Sequence, residues 1–167
     1  MVLKRIAAYI VKVAHAISIV MMILLSVTLF VGVLSRYIFS YSIPELEVIR
    51  KFSLMWLVFI GSALAVKEKM HLEIDILSDY ISKKINRIRL MVVFALSLFG
   101  IGILIFIGIA AFEAGLNRTE LVPIRGLSSQ PTLIYYYSAF LVGSLLMLYF
   151  HLMNSRELFT RNEVKKK

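Results

Sequence analysis

A chain of 167 residues that is 60% hydrophobic, with mean hydropathy +0.85, is too apolar for a soluble domain, where about 45–50% is usual. Its formal charge of +9 marks loops held at the cytoplasmic face of a membrane rather than a nucleic-acid partner. The absence of cysteine excludes disulfides, thiolate metal sites and cysteine nucleophiles.

The apolar residues gather into four runs, which predicts an all-α integral membrane protein folded as one domain over residues 1–167, without a separate soluble module. A bilayer core of about 30 Å needs about 20 apolar residues in a helix. Residues 13–34 meet this, interrupted only by His15 and small polar residues. This run exceeds a signal-peptide core and has no clear small-x-small cleavage site, so it is expected to stay in the mature protein.

The second span is less regular, because its uncharged part, 52–66, falls short of a crossing. Ser42-Ile43-Pro44-Glu45 combines an N-cap serine, an early proline and a glutamate at capping-box spacing, which moves the predicted start to Ile43. A helix over 43–69 is about 40 Å long at about 1.5 Å per residue. Its first turns carry Glu45, Glu47, Arg50 and Lys51, and Glu47 can pair with Lys51 at i,i+4 or Arg50 at i,i+3.

After this span, Ile74, Leu77, Ile81, Ile85 and Ile88 recur at three- and four-residue intervals. The pattern predicts an amphipathic helix over 72–89 lying in the interface, the alternative being a simple extension of the third span. Residues 90–112 form a third span without a charge, and 132–153 a fourth, with Tyr135, Tyr136 and Tyr137 as an interfacial belt. Three Lys and Arg precede the first span, six lie in 67–89 and five follow the fourth span, against five on the opposite side. The positive-inside rule then places both termini and the middle connector in the cytoplasm.

Candidate chemistry is sparse. The interiors of the first, third and fourth spans carry no acidic or basic residues, and no nucleophile–base arrangement, phosphate loop or metal cluster is visible, which argues against an enzyme. Gly61-x-x-x-Ala65, Gly100, Gly102 and Gly108 read as close-packing surfaces for neighbouring helices. His15 and His151 fall at matched depth near the cytoplasmic face, where a haem between them would make the chain a respiratory membrane anchor; the plainer reading is two interfacial histidines. Arg36 either snorkels to the interface or pairs with Glu45 or Glu47. Asn117-Arg118-Thr119 is a formal glycosylation sequon that carries no argument here.

Arg36-Tyr37-Ile38-Phe39, then Pro44-Glu45-Leu46-Glu47, then Trp56-Leu57-Val58-Phe59-Ile60-Gly61, then the run from Val66 through His71 to Asp75, resemble in order and spacing the small membrane subunit of tripartite ATP-independent periplasmic (TRAP) transporters. Pro131 and the tyrosine cluster of the fourth span are similar to that family too. Where the family often has a tryptophan and two adjacent acidic residues, this chain has Glu45 and Glu47 separated by Leu46.

The resemblance implies a subunit of the bacterial inner membrane that carries no cofactor. Its partners would be a large, elevator-type membrane subunit holding the substrate and sodium sites, and a periplasmic binding protein delivering an organic acid. Structural or subunit-interface roles then fall to Arg36, Glu45, Glu47, Arg50, Trp56, Gly61, His71 and Asp75. Docking of the binding protein falls to the loop 113–131, with Glu113, Arg118, Glu120 and Arg125.

Overall fold

Long apolar runs without internal proline fold as helices, because only a helix satisfies every backbone N–H and C=O within one segment in lipid. The computed structural model describes residues 2–68, 83–122, 124 and 130–164. The described residues form four helices: α1 (Val2–Phe39), α2 (Glu45–Lys67), α3 (Lys83–Leu116) and α4 (Ile134–Val164). Each contains a stretch long and apolar enough to cross a membrane: Ala7–Phe39, Glu45–Lys67, Met91–Leu116 and Ile134–Asn154. The only β pairing among the described residues is an isolated antiparallel bridge, Thr119 to Thr132.

Three helices outrun their apolar cores. α1 begins eleven residues before Val13, since Ala7, Val11 and Ala14 continue one packed face past the charged Lys4, Arg5 and Lys12. α4 runs on to Val164 through a stretch that contains neither glycine nor proline. Residues 83–89 form the opening turns of α3, continuous with the span; the rest of the expected interfacial helix, 72–82, lies outside the described residues.

The expected capping box before α2 is not used. Pro44 occupies the N-cap position at φ −63° and ψ −30°, without a side-chain cap bond. Backbone bonds from Leu46 N–H to the Ile43 carbonyl and from Glu47 N–H to the Pro44 carbonyl close the first turn instead. Glu45 and Glu47 still sit in that turn, where negative charge suits the helix dipole.

The turn from α1 to α2 depends on Ser40, which adopts a left-handed φ of 50°. It folds the chain back so that Tyr41 N–H donates to the Ser35 carbonyl at 3.2 Å. The Ser35 hydroxyl returns a 2.6 Å bond to the Tyr41 carbonyl.

Close approaches join α1 to α2, α2 to α4 and α4 to α3, and no other pair among the described residues. The helices therefore stand in the spatial order α1–α2–α4–α3. Contacts of Trp56 with Tyr135, Phe59 with Phe140 and Val66 with Asn154 show α2 and α4 running parallel. The core lies along this central pair. One cluster joins Ala63 and Val66 of α2 to Ile101 of α3 and Met147 and Phe150 of α4. Another seats Ala14 of α1 on Ile60 and Leu64 of α2.

Buried hydroxyls in the seam are satisfied locally: Ser53 donates to the Ile49 carbonyl and Ser144 to the Leu141 carbonyl. The flanking helices keep most of their apolar surface uncovered. Only 6% of the α1 span window and 11% of the α3 window are buried inside the chain, against 39% for α4.

Candidate functional site

Polar side chains converge at the end of the α2–α4 pair where α2 begins, α4 begins and the α3–α4 connection crosses between them. Lys51, two turns into α2, is the hub. Its Nζ lies 3.2 Å from Glu47 Oε1, the i,i+4 pair that the sequence predicts, and 3.6 Å from Glu120 Oε1 of the connection. Glu120 has only 5% of its side chain exposed, and the Tyr136 hydroxyl donates to it from α4. Three segments distant in sequence are thereby tied at one carboxylate.

The connection is also fixed through its backbone. Glu120 N–H donates to the Pro131 carbonyl at 2.9 Å, and Leu133 N–H to the Arg118 carbonyl at 2.8 Å, on either side of the Thr119–Thr132 bridge. Leu121 N–H caps Glu120 Oε1, and Ile124 N–H donates to Gln130 Oε1. Beneath this plate, Trp56 Nε1–H donates to the Tyr135 carbonyl at 3.2 Å, and its ring packs tilted on Phe52.

The electrostatics of Glu120 follow from these contacts. Burial pushes its carboxyl upward, but the Tyr136 hydrogen bond, the Lys51 charge and the Val122 and Leu121 N–H groups outweigh it, so the group sits below the ordinary value of 4.5. A carboxyl depressed in the folded state contributes its full stability above the unfolded value, and loses it as pH falls through the folded one. The loop should therefore stay anchored from neutral pH down to about 4.5 and release below that. Hydrogen exchange of residues 118–122 against pH checks this, and loss of protection already between pH 7 and 5 would contradict it.

Arg36 and Arg50 face a cavity of about 110 Å³ between α1 and α2 rather than entering the Lys51 cluster. Arg50 Nε donates to the Leu46 carbonyl at 3.2 Å. Among the described residues Glu47 pairs with Lys51, and the Arg36–Glu47 pairing expected as an alternative from the sequence is not seen. Glu45 sits in the first turn of α2. A Cβ added at Gly61, Gly100 or Gly102 would meet nothing within 4 Å beyond its own helix, so there is room at these positions in the chain by itself. Arg118 and Glu113 are exposed. His71, Asp75 and Arg125 lie outside the described residues.

The opposite end of α2 is clamped as well. Asn154 Nδ2 donates to the Val66 carbonyl at 2.8 Å, filling one of the acceptors that a helix terminus leaves open. His15 lies 3.6 Å from Glu68, while His151 is buried, with Nε2 3.2 Å from the Phe94 carbonyl and its ring stacked on Phe94. The two imidazoles have separate partners, on helices that do not approach each other, and this geometry lends no support to a haem between them.

Sequence reasoning left three residues out of the site. Lys51 was legible only as the partner of Glu47. Tyr136 is buried where its neighbour Tyr135 is 58% exposed, a difference that three consecutive tyrosines do not reveal. Leu121, beside the anchored carboxylate, is 94% exposed and crowns the loop, with no periodic pattern to mark it.

The comparisons agree with this architecture. The family model described as tripartite ATP-independent periplasmic transporters, DctQ component, matches residues 25–161. A Haemophilus influenzae protein named as a TRAP transporter small permease protein is 26% identical over 165 residues, covering 98% of this chain and 99% of that relative.

Proposed function

Since the chain belongs to the DctQ component family of the tripartite ATP-independent periplasmic transporters, we propose that it is a non-catalytic scaffold of a sodium-coupled system for organic-acid uptake. In this reading it packs against a large elevator-type membrane subunit and helps a periplasmic binding protein to dock. Both termini and the connector 67–89 lie on the cytoplasmic side of a bacterial inner membrane, as the distribution of Lys and Arg favours.

The observation that supports this reading best is the anchored connection between α3 and α4. Lys51, Glu120 and Tyr136 hold it to both central helices and leave Arg118 and Leu121 facing outward. A loop fixed in this way presents a preformed surface, which reduces the ordering cost of binding. The uncovered apolar flanks of α1 and α3, with Gly100 and Gly102 open on α3, suit the close approach of helices from a larger partner.

Affinity purification of the tagged chain from its native membrane tests the scaffold role. A stoichiometric, much larger polytopic protein should accompany it, and recovery of the chain by itself would count against the reading. Charge reversal at Arg118 and Arg125 tests docking. It should raise the concentration of binding protein needed for half-maximal uptake by about three- to tenfold, the scale of rim charges. Unchanged uptake at limiting binding protein would remove the loop from the docking surface.

A further inference from the structure

The cavity between the last turn of α1 and the first turns of α2 is lined by Arg36, Arg50, Tyr37 and Ser42, with no carboxylate in its wall. Two arginines, a tyrosine and a serine beside a space of about 110 Å³ bring together hydrogen-bond donors of the kind that suit a tetrahedral oxyanion. Leu29 and Arg50 also line a neighbouring open groove of about 490 Å³, whose other walls are Leu25, Leu54, Glu47 and Lys51. The carboxylate of that groove, Glu47, is already engaged by Lys51.

We propose that this cavity and groove bind one membrane phospholipid, with Arg36 and Arg50 holding its phosphodiester and an acyl chain lying along Leu25, Leu29 and Leu54. The adjacency of the two spaces, with Leu29 and Arg50 in both walls, favours a lipid over a free anion. A soluble phosphate would satisfy the arginines and leave the groove empty, whereas a glycerophospholipid carries its anionic head and apolar tail in the same order as the site. Both spaces also lie on helices of membrane-spanning length, with the arginines near the helix ends, at the depth where lipid phosphates are found.

The test uses the full chain, extracted in mild detergent, delipidated and offered phosphatidylglycerol, with bound lipid counted by native mass spectrometry. One lipid per chain should be retained. The R36Q/R50Q variant should lower its affinity by about tenfold or more, the loss expected for removing charge-assisted bonds. Leu29→Trp leaves both charges in place and puts a larger side chain into the wall common to cavity and groove, and it should reduce retention comparably. Helical circular dichroism accompanies each variant, so that if R36Q/R50Q fails to fold, Leu29→Trp decides. Unchanged retention in a folded R36Q/R50Q or Leu29→Trp variant would overturn the proposal, and so would displacement of the lipid by millimolar inorganic phosphate. None of these outcomes depends on the transporter reading.

Discussion

Gly143→Ala is expected to lower the stability of the chain by about 1–3 kcal/mol, and Gly143→Leu to prevent α2 and α4 from pairing. A Cβ at this position would stand 2.5 Å from Phe59 Cβ and 2.9 Å from both the carbonyl carbon and oxygen of Phe59. These are not the ends of flexible side chains that can swing aside. They belong to the α2 backbone and the first atom of its side chain, so relief requires the helices to move apart. Separation would also loosen the Phe59–Phe140 contact, whose ring centroids are 4.5 Å apart, and the core around Ala63 and Phe150.

Gly61→Ala is the matched control. Nothing lies within 4 Å of the added methyl, and alanine is the better helix former, so the isolated chain should be as stable as before or more so. Unfolding midpoints in one detergent give the comparison. Equal midpoints for Gly143→Ala and wild type would mean that the seam is looser than its geometry indicates.

Glu120→Ala should cost about 1–3 kcal/mol, the scale for leaving buried hydrogen-bonding partners unmatched. It strips the Tyr136 hydroxyl of its acceptor and Lys51 of one of its two carboxylates. Lys51 retains Glu47 and is about half exposed, which holds the loss toward the lower part of that range. Glu120→Gln separates the contributions, because an amide oxygen still accepts from Tyr136 while the charge attraction to Lys51 is gone. Its cost should therefore be smaller.

Combining Lys51→Met with Glu120→Gln should cost less than the sum of the two single changes, since both delete one interaction. The local readout is hydrogen exchange at residues 118–122, which should accelerate in Glu120→Ala. Unaltered exchange there would show that the backbone bonds around the Thr119–Thr132 bridge hold the loop without the carboxylate.

The four spans were legible because crossing a bilayer demands a length and an apolarity that few other structures need. Glu47–Lys51 was legible because four residues along a helix fix its geometry. The α2–α4 seam was not. Of the glycines of α2 and α3 expected to pack closely, Gly108 does so, against Leu141 and Ser144 of α4, while Gly61, Gly100 and Gly102 face open space. Gly143 of α4, absent from that expectation, meets the backbone of α2.

A signal was present in Ala139-x-x-x-Gly143-Ser144, small residues one turn apart that are all buried. Such spacing tells which face of a helix is thin, and does not tell which helix lies against it. The Lys51–Glu120–Tyr136 junction was hidden for a related reason. Lys51 lies far from Glu120 and Tyr136 in sequence, and only the parallel pairing of α2 with α4 brings the three together. The overrun of α1 and α4 escaped a reading based on apolar runs, because a helix continues wherever nothing interrupts it, whether or not lipid surrounds it.

The spatial order of the helices differs from their order along the chain, and this constrains how the protein is made. During synthesis α1 and α2 emerge before α3 and α4 and can close on each other through the turn at Ser40. The face of α2 that carries Phe59 and Ala63 has no partner among these helices until α4 is complete. The four helices thus come together as two hairpins, and the joint between them forms only once α4 has been made. Until then the first hairpin must wait in the bilayer with its most closely fitted surface exposed, open to whatever other helix is passing.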